Sequence, residues 1–380
     1  VTERTFRRWS GRYHAEGAEG LQDRRIGRLS ARAVPVDEAL RMVTLYETRY
    51  TGWTVKHFHE RWQTEHGGTR SYSWTKKTLQ AAGHVTRATR RGAHRKKRPR
   101  KPLPGMMLHQ DGSTHEWVPD CQWDLIVTLD DATTEIYSAF FVEEEGTLSS
   151  FRGLQEVIGT KGLFSSLYTD RGSHYWHTDE AGGTVDKIRL TQVHRALQQV
   201  GVTLIPAYSP EARGRSERAF RTLQDRLPKE LALAGITEMA AANRYLTERF
   251  LPQYNDRFMV RATEPGTAFI PWVGTHLAEI LCVHDERVVA KDNTVRYQGL
   301  SLQIPQDPHR FHYVKVTVRV HAYPDGTLAV FHGPRCLARY SADGQLIETG
   351  RTHPGSTHRS NVPPIVDPRA TVRATISARG

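Results

Sequence analysis

Hydrophobic positions first recur in residues 2–13, where Phe6, Trp9 and Tyr13 fall at helical spacing behind Thr2, a residue suited to an N-cap. Arg4, Arg7, Arg8 and Arg12 lie off that stripe. An amphipathic helix with an arginine face suits a major groove. The run EGAEGLQDRRIGR then breaks the pattern. From Val36 to Gly83 three helical segments follow: VDEALRMVTLYETRY, WTVKHFHERWQTEH and SYSWTKKTLQAAG, the last exposing Lys76 and Lys77. Three short helices with small turns predict a helix-turn-helix or winged-helix module, with an ordinary three-helix bundle as the alternative. His57, His59 and His66 have no cysteine nearby and read as core or surface residues rather than metal ligands.

Residues 84–107 lose all hydrophobic period and are dense in Lys, Arg and Pro. They predict an extended linker that follows a phosphate backbone, with Arg95, Lys96, Lys97 and Arg98 in contact with it. Beyond it, MMLHQDGSTHEWVP, WDLIVTLDDATT and EIYSAFFVEEE predict three successive strands. TLSSFRGLQEVIGTKG (helix), LFSSLYTD (strand), TQVHRALQQVG (helix) and VTLIPAYS (strand) follow, and a long helix begins within SPEARGRSERAF. Pro228 predicts a kink or break in that helix, and a further helix runs over 238–254. Strands followed by alternating helix and strand predict a mixed α/β sheet with helices on its faces. Residues 277–341 turn β-rich: RVVAKDNTVRYQG as a hairpin, SLQIP as a strand, a second hairpin around Asp325-Gly326, and RCLARYS. Five such strands fit a small barrel.

The expected fold class is therefore multidomain α/β. A partial helix-turn-helix spans 1–30, a helix-turn-helix or winged-helix domain 31–83, a basic linker 84–107, the α/β domain 108–272, a small β-barrel 273–344 and a flexible tail 345–380. The chain begins with Val, and its single short basic helix before Leu21 reads as the remainder of a module cut at its start.

Charge sharpens this picture. The 380 residues carry a net +12, but residues 1–107 hold 24 Lys and Arg against 9 Asp and Glu, a net +15, while the remainder holds 29 against 32, a net −3. A basic third joined to a near-neutral body points to a polyanion partner. Three cysteines, Cys121, Cys282 and Cys336, exclude a CxxC zinc finger and a closed disulfide framework, which makes a reducing compartment the default. No apolar run is long enough for a membrane-spanning helix.

Three acids stand out among 41: Asp111 in the first strand of the α/β domain, Asp170 at the end of a later strand, and Glu217 near the start of the long helix. Phosphoryl transfer needs charge neutralisation and an activated oxygen. Two hard cations gripped by carboxylate oxygens provide both. On the helical wheel Glu217 flanks the stripe Phe220, Leu223, Leu227 and Leu231, while Arg218, Arg226 and Lys229 point away, as an outer cationic face along DNA. Each acid has a plainer alternative: a turn cap with Gly112 for Asp111, an Asx-turn before Gly172 for Asp170, an ion pair with Arg213 or Arg221 for Glu217. Asp130 and Asp131 are rivals better suited to a strand-to-turn role, and Glu211 suits the dipole at the helix start.

The segments HQDGSTHEW, VTLDDAT, LYTDRGSHYW, SPEARGRSERAFRTLQDRL and YNDRF resemble the DDE transposases of the ISNCY group of bacterial insertion sequences, which share a catalytic core with retroviral integrases. The resemblance covers residues 1–345 and is strongest over 108–258. It implies an RNase H-like core that binds two Mg2+ or Mn2+ ions through Asp111, Asp170 and Glu217 as the catalytic triad. It also implies N-terminal helix-turn-helix modules on terminal inverted repeats and a C-terminal small barrel. Double-stranded DNA, both element ends and target, is the expected partner, with a dimer or larger synaptic assembly in the bacterial cytoplasm near the nucleoid. Arg213, Arg215 and Arg218 are expected on phosphates near the scissile bond, and His115 and His174 near the acids. The stretch HTDEAGGTVDKIRL lengthens the gap from Asp170 to Glu217 to 47 positions and predicts an inserted hairpin or loop. The activity implied is strand cleavage and strand transfer. The rivals are a DNA-binding regulator with an inactive integrase-like domain and a nuclease without joining activity.

Overall fold

The computed structural model describes residues 2–23, 34–87, 98–178, 180, 183–208, 214–306 and 310–349. The first helix, α1 (Glu3–Glu16), is capped by Thr2, whose hydroxyl accepts from the Thr5 N–H at 3.4 Å. It buries none of its residues, so Phe6, Trp9 and Tyr13 form an exposed stripe. Helices α2 (Val36–Arg49), α3 (Val55–Glu65) and α4 (Tyr72–Ala81) pack around Met42, Tyr46, Tyr50, Trp53, Phe58, Trp62 and Leu79. The histidines there are structural, as the sequence suggests. His59 pairs with the Thr75 hydroxyl at 3.0 Å and His66 with the Tyr50 hydroxyl at 2.9 Å.

The centre of the molecule is a mixed sheet. Strands β1 (Leu108–Val118), β2 (Cys121–Asp130) and β3 (Ile136–Val142) form an antiparallel meander, followed by α5 (Thr147–Thr160) and β4 (Ser166–Thr169). A small hairpin, β5 (His177–Thr178) with β6 (Val185–Asp186), realises the predicted insertion. Then come α6 (Gln192–Gln199), β7 (Thr203–Pro206) and α7 (Gly214–Leu233). The strand order is β3-β2-β1-β4-β7, with β4 parallel to both β1 and β7.

Period-2 alternation decides which helix covers which face. Trp117, Leu125, Val127, Leu129 and Phe141 pack with Phe220, Leu223 and Leu227 of α7. Leu108 and Leu167 turn to the opposite face, toward Phe151 and Leu154 of α5 and Val193 and Leu197 of α6. The α7 face is completed by α8 (Met239–Tyr245), a π-turn over Leu246–Phe250 and α9 (Leu251–Phe258). Pro228 does not break α7, which continues to Leu233. Leu227 and Leu231 are fully buried on either side of it, and that burial outweighs the missing backbone donor.

A short helix, α10 (Leu277–Ile280), leads into seven strands: β8 (Val283–Val288), β9 (Thr294–Tyr297), β10 (Leu300–Gln303), β11 (Thr317–Ala322), β12 (Leu328–His332), β13 (Arg335–Tyr340) and β14 (Leu346–Thr349). Two expectations change here. The strands form an open sheet in the order β14-β13-β12-β11-β8 plus a separate β9-β10 pair, and no closed barrel is seen among the described residues. The predicted 287–299 hairpin is re-paired, because β8 bonds to β11 and β9 bonds to β10 across the Gln298-Gly299 turn. Both Gln298 and Gly299 have positive φ, the geometry that closes a tight two-residue hairpin. The Asp325-Gly326 hairpin between β11 and β12 forms as predicted.

Two further corrections concern the basic residues. Residues 98–107 are not a free linker. The Lys101 and Gly105 N–H groups donate to Asp131 and Asp130 at 2.8 and 2.9 Å, and Met107 is buried. Arg226 is not on an outer cationic face but buried, with both guanidinium nitrogens on Glu60 of α3 at 2.7 and 3.0 Å. Lys229 pairs with Asp225 of its own helix. Beside Arg226, Glu230 accepts from His57 at 2.5 Å, from Tyr245 at 3.1 Å and from Arg61. A buried polar cluster thus joins α3 to α7.

Burial pushes Glu230 up, but His57 and Arg61 outweigh it and hold the carboxyl below its usual range; burial also pushes His57 down. Both folded-state values lie below the unfolded ones, so the stability they contribute is present at neutral pH and lost on acidification. It starts to fall as pH drops below about 6.5. Glu230→Ala should cost about 3–5 kcal/mol, because His57 and Tyr245 lose their shared acceptor and Arg61, partly buried, keeps only Glu65. Urea unfolding at pH 7.5 and pH 5 checks both. An unchanged variant, or wild type equally stable at both values, would contradict the assignment.

Candidate active site

Parallel pairing sets Leu108 opposite Leu167 and His109 opposite Tyr168. Continuing that register by two residues brings Asp111 level with Asp170, at the point where β4 ends. Adjacent strands lie about 4.8 Å apart. Parity puts both side chains on the α7 face, with His109 and Tyr168, whose rings meet edge-on at 5.2 Å. Asp111 lies within β1 and is buried, so it is not a turn cap. Asp170 does form an Asx-turn, accepting the Gly172 N–H at 2.9 Å on one carboxylate oxygen.

Glu217 enters from α7. Gln224 of that helix donates to the Ser113 hydroxyl at 2.8 Å. Glu217 is seven residues earlier, on the same helical stripe and about 10 Å back along the axis. Asp111 is two residues before Ser113, about 7 Å back along β1. With Arg215 bonded to Asp131 and Gln224 to Ser113, the helix runs along the strand in the same direction, and ideal spacing puts the exposed Glu217 near the level of Asp111. The described residues record no ion pair between Glu217 and Arg221, and Arg213 lies outside them.

What fixes the start of α7 is a buried carboxylate that sequence reasoning read as a turn residue. Asp131, fully buried at the end of β2, accepts from His109 at 2.8 Å, the Lys101 N–H at 2.8 Å, and the guanidinium groups of Arg98 and Arg215. Burial pushes this carboxyl up, but His109, the Lys101 N–H and Arg215 hold it well below its usual range. Burial keeps His109 neutral by pushing it down. Arg215 is two residues before Glu217, so this contact anchors the first turn of α7.

Sequence reasoning also missed Glu145, in the charged run after β3. It packs beneath Gly112, where an added Cβ would sit 2.1 Å from its carboxylate, and it lies 3.5 Å from His174. The adjacent residue, Gly112, was the available signal. Tyr175, fully buried, is pushed well up by burial and further by the charges of Glu145, Asp111 and Asp170. The three carboxylates thus act on this one phenol in the same direction. His115 lies farther along β1 against Trp117, their rings 5.1 Å apart.

The expected DNA contacts divide. Arg4, Arg7, Arg8, Lys77 and Arg218 are exposed, and Arg12 and Lys76 half-buried. Arg7 pairs with Glu3. Arg98 and Arg215 are committed to Asp131. Arg95, Lys96, Lys97 and Arg213, with Glu211, lie outside the described residues.

No family profile matches the chain. It is 29% identical over 339 residues to a putative transposase, y4bF, of Sinorhizobium fredii, covering 87% of this chain and 72% of the relative. It is also 29% identical over 161 residues to the transposase for insertion sequence IS1202 of Streptococcus pneumoniae, covering 42% of this chain and 34% of that protein. Among solved structures, an intasome of simian T-cell lymphotropic virus in complex with a PP2A regulatory subunit aligns at 13% identity and TM-score 0.35, covering 76% of this chain and 95% of that one. The HTLV-2 integrase catalytic core domain in complex with magnesium aligns at 15% identity and TM-score 0.29, covering 39% and 89%. The chain is thus similar to transposases, one of them that of an insertion sequence.

Removing the anchor tests its structural weight. Asp131→Ala leaves His109, Arg98 and Arg215 around an unneutralised site and should cost about 3–5 kcal/mol in chemical denaturation. A change within about 0.5 kcal/mol would show that the anchor contributes nothing.

Proposed function

We propose that the chain is the DNA transposase of an insertion sequence, with an RNase H-like catalytic core whose triad is Asp111, Asp170 and Glu217. What supports this reading is the parallel pairing of β1, which bears Asp111, with β4, just past whose end Asp170 lies, and the packing of α7, which bears Glu217, along β1 through Gln224 and Ser113. Similarity to transposases supports DNA as the substrate class. The donor set fits Mg2+ or Mn2+: carboxylate oxygens, hard ligands, two from rigid strands and one from a helix start. When bound, a divalent pair neutralises the phosphate and activates the attacking oxygen.

The chain's own residues supply position and field. Asp111, buried on β1, is the fixed reference. Asp170 keeps one oxygen on the Gly172 N–H, which sets the direction of the other. Glu217 is held by the Arg215 anchor behind it and the Gln224 contact ahead of it. A hydrolytic cut frees a 3′-hydroxyl at the element end, and that hydroxyl attacks a target phosphodiester in line. The enzyme forms no covalent intermediate, so its contribution is positioning and electrostatics.

The DNA-binding assignment keeps Arg4, Arg7, Arg8 and Arg12 on α1, Lys76 and Lys77 on α4, the basic run 95–97, and Arg213 with Arg218 near the scissile phosphate. Arg98 and Arg215 act through Asp131 instead. Holding two element ends together requires a dimer or larger assembly.

Asp111→Ala, Asp170→Ala and Glu217→Gln should each lower cleavage and joining of element-end DNA by about 10²–10³-fold or more, the scale of losing one transition-state-stabilising group. End binding should stay near wild type. Retained joining in any one of the three removes that residue from the triad, and loss of binding with activity would favour a structural role. Binding should weaken with salt by about 0.9 log units per tenfold salt for each phosphate neutralised. A flat response measured by fluorescence anisotropy would contradict the basic assignment.

A further inference from the structure

A second cluster of metal-ligating side chains lies far from the acids along the chain. Cys282, His284 and His321 each present a ligand atom, all within 4.8 Å of one another. Pairing explains why. Cys282 and His284 are two residues apart at the start of β8, so they share a face, and His284 is the direct cross-strand partner of His321 on β11. The two imidazoles stack at 4.0 Å with planes 12° apart. His321 is backed by Phe331, 4.2 Å away.

The surroundings orient the rings as ligands. The His321 Nδ1–H donates to the Glu279 carboxylate at 3.1 Å, while its Nε2 is buried with no partner. An unpartnered buried nitrogen is costly, and a ring whose other nitrogen is held by a carboxylate is the usual preparation of a metal-binding histidine. The Glu279 carboxylate is itself fixed by Tyr323 and Arg339. His284 donates from Nε2 to the Glu279 carbonyl at 2.8 Å, leaving Nδ1 as its lone-pair nitrogen.

We infer that Cys282, His284 and His321 form a transition-metal site suited to Zn2+, distinct from the carboxylate site and held in orientation by Glu279. One sulfur and two nitrogens are borderline-soft donors that suit Zn2+ and reject Mg2+. Tetrahedral zinc needs ligand atoms about 3.3–3.6 Å apart, so the cluster contracts by up to about 1.5 Å on binding, through side-chain rotation. Water takes the fourth position. The Cys282 thiol, which donates to the Glu279 carbonyl at 3.2 Å, releases its proton to solvent as the Zn–S bond forms.

The site has a structural role. Leu281 and Ile280, just before Cys282, pack into the α5–α6 core, Gln192 and Arg195 of α6 bond the backbone of His284 and Cys282, and His321 belongs to the C-terminal sheet. A bound ion therefore clamps β8 to β11 at the end of the C-terminal sheet that α6 contacts.

The test uses the full chain, stripped with a chelator and titrated with Co2+. The expected result is one equivalent bound, with an intense thiolate-to-cobalt absorption that stoichiometric Zn2+ abolishes and excess Mg2+ leaves intact. Cys282→Ser should remove the absorption. His321→Phe, which keeps a ring against Phe331, should lose binding while far-UV circular dichroism stays unchanged. Glu279→Gln should bind Zn2+ about 10–100-fold more weakly. Absence of the absorption in folded wild type, or its persistence in Cys282→Ser, would overturn the assignment.

Discussion

The architecture depends on holding acidic side chains together at one edge of a sheet, where their charges repel. Folding alone gives no reason to gather Asp111, Asp170 and Glu145 around one buried phenol. The gathering is tolerated because rigid elements fix the backbone that bears them, and because Asp131, at the end of the neighbouring strand β2, is compensated by its partners. Asp131 collects two guanidinium groups, an imidazole and a backbone N–H. That knot closes the end of β2, the approach to β1 and the first turn of α7 in a single contact. The proposed catalytic acids are thus positioned by an acid that has no proposed part in catalysis.

The same division of labour separates the basic residues. Cations near the sheet and on the inner side of α7 are consumed internally: Arg98 and Arg215 by Asp131, Arg226 by Glu60, Arg61 by Glu230. Others stay exposed: Arg4, Arg7 and Arg8 on α1, Arg41 and Arg49 on α2, Lys77 on α4, and Arg218 and Arg221 on α7 itself. A sequence-level charge count cannot separate the two populations. The excess over residues 1–107 therefore overstates the number of cations available to a polyanion.

Much of the central fold was legible because its signals are local. The strands of the meander show as apolar runs of strand length, Thr2 caps its helix, and Asp325-Gly326 closes its hairpin. Asp111, Asp170 and Glu217 were legible as candidates from residue type and from the resemblance their segments carry. What could not be read was long-range pairing. The wheel put Arg226 outside because nothing local shows that α3 supplies Glu60. The C-terminal strands were counted as a barrel because their length and spacing fit one, but strand partners are set by register across 30 or more residues, as between Val283 and Ala322. The Cys282–His284–His321 cluster was invisible for the same reason: two ligands on one strand find the third only through that pairing.

The claim on which most rests is that three carboxylates, separated along the chain, converge on one divalent-ion site. Iron-mediated backbone cleavage measures this directly: Fe2+ replaces Mg2+ in the protein bound to element-end DNA, peroxide and ascorbate are added, and the cut positions are mapped by mass spectrometry. The account predicts cuts in three segments together, around Asp111, Asp170 and Glu217, all suppressed by excess Mg2+. A pattern lacking any one of these segments, or one that Mg2+ does not suppress, would contradict it.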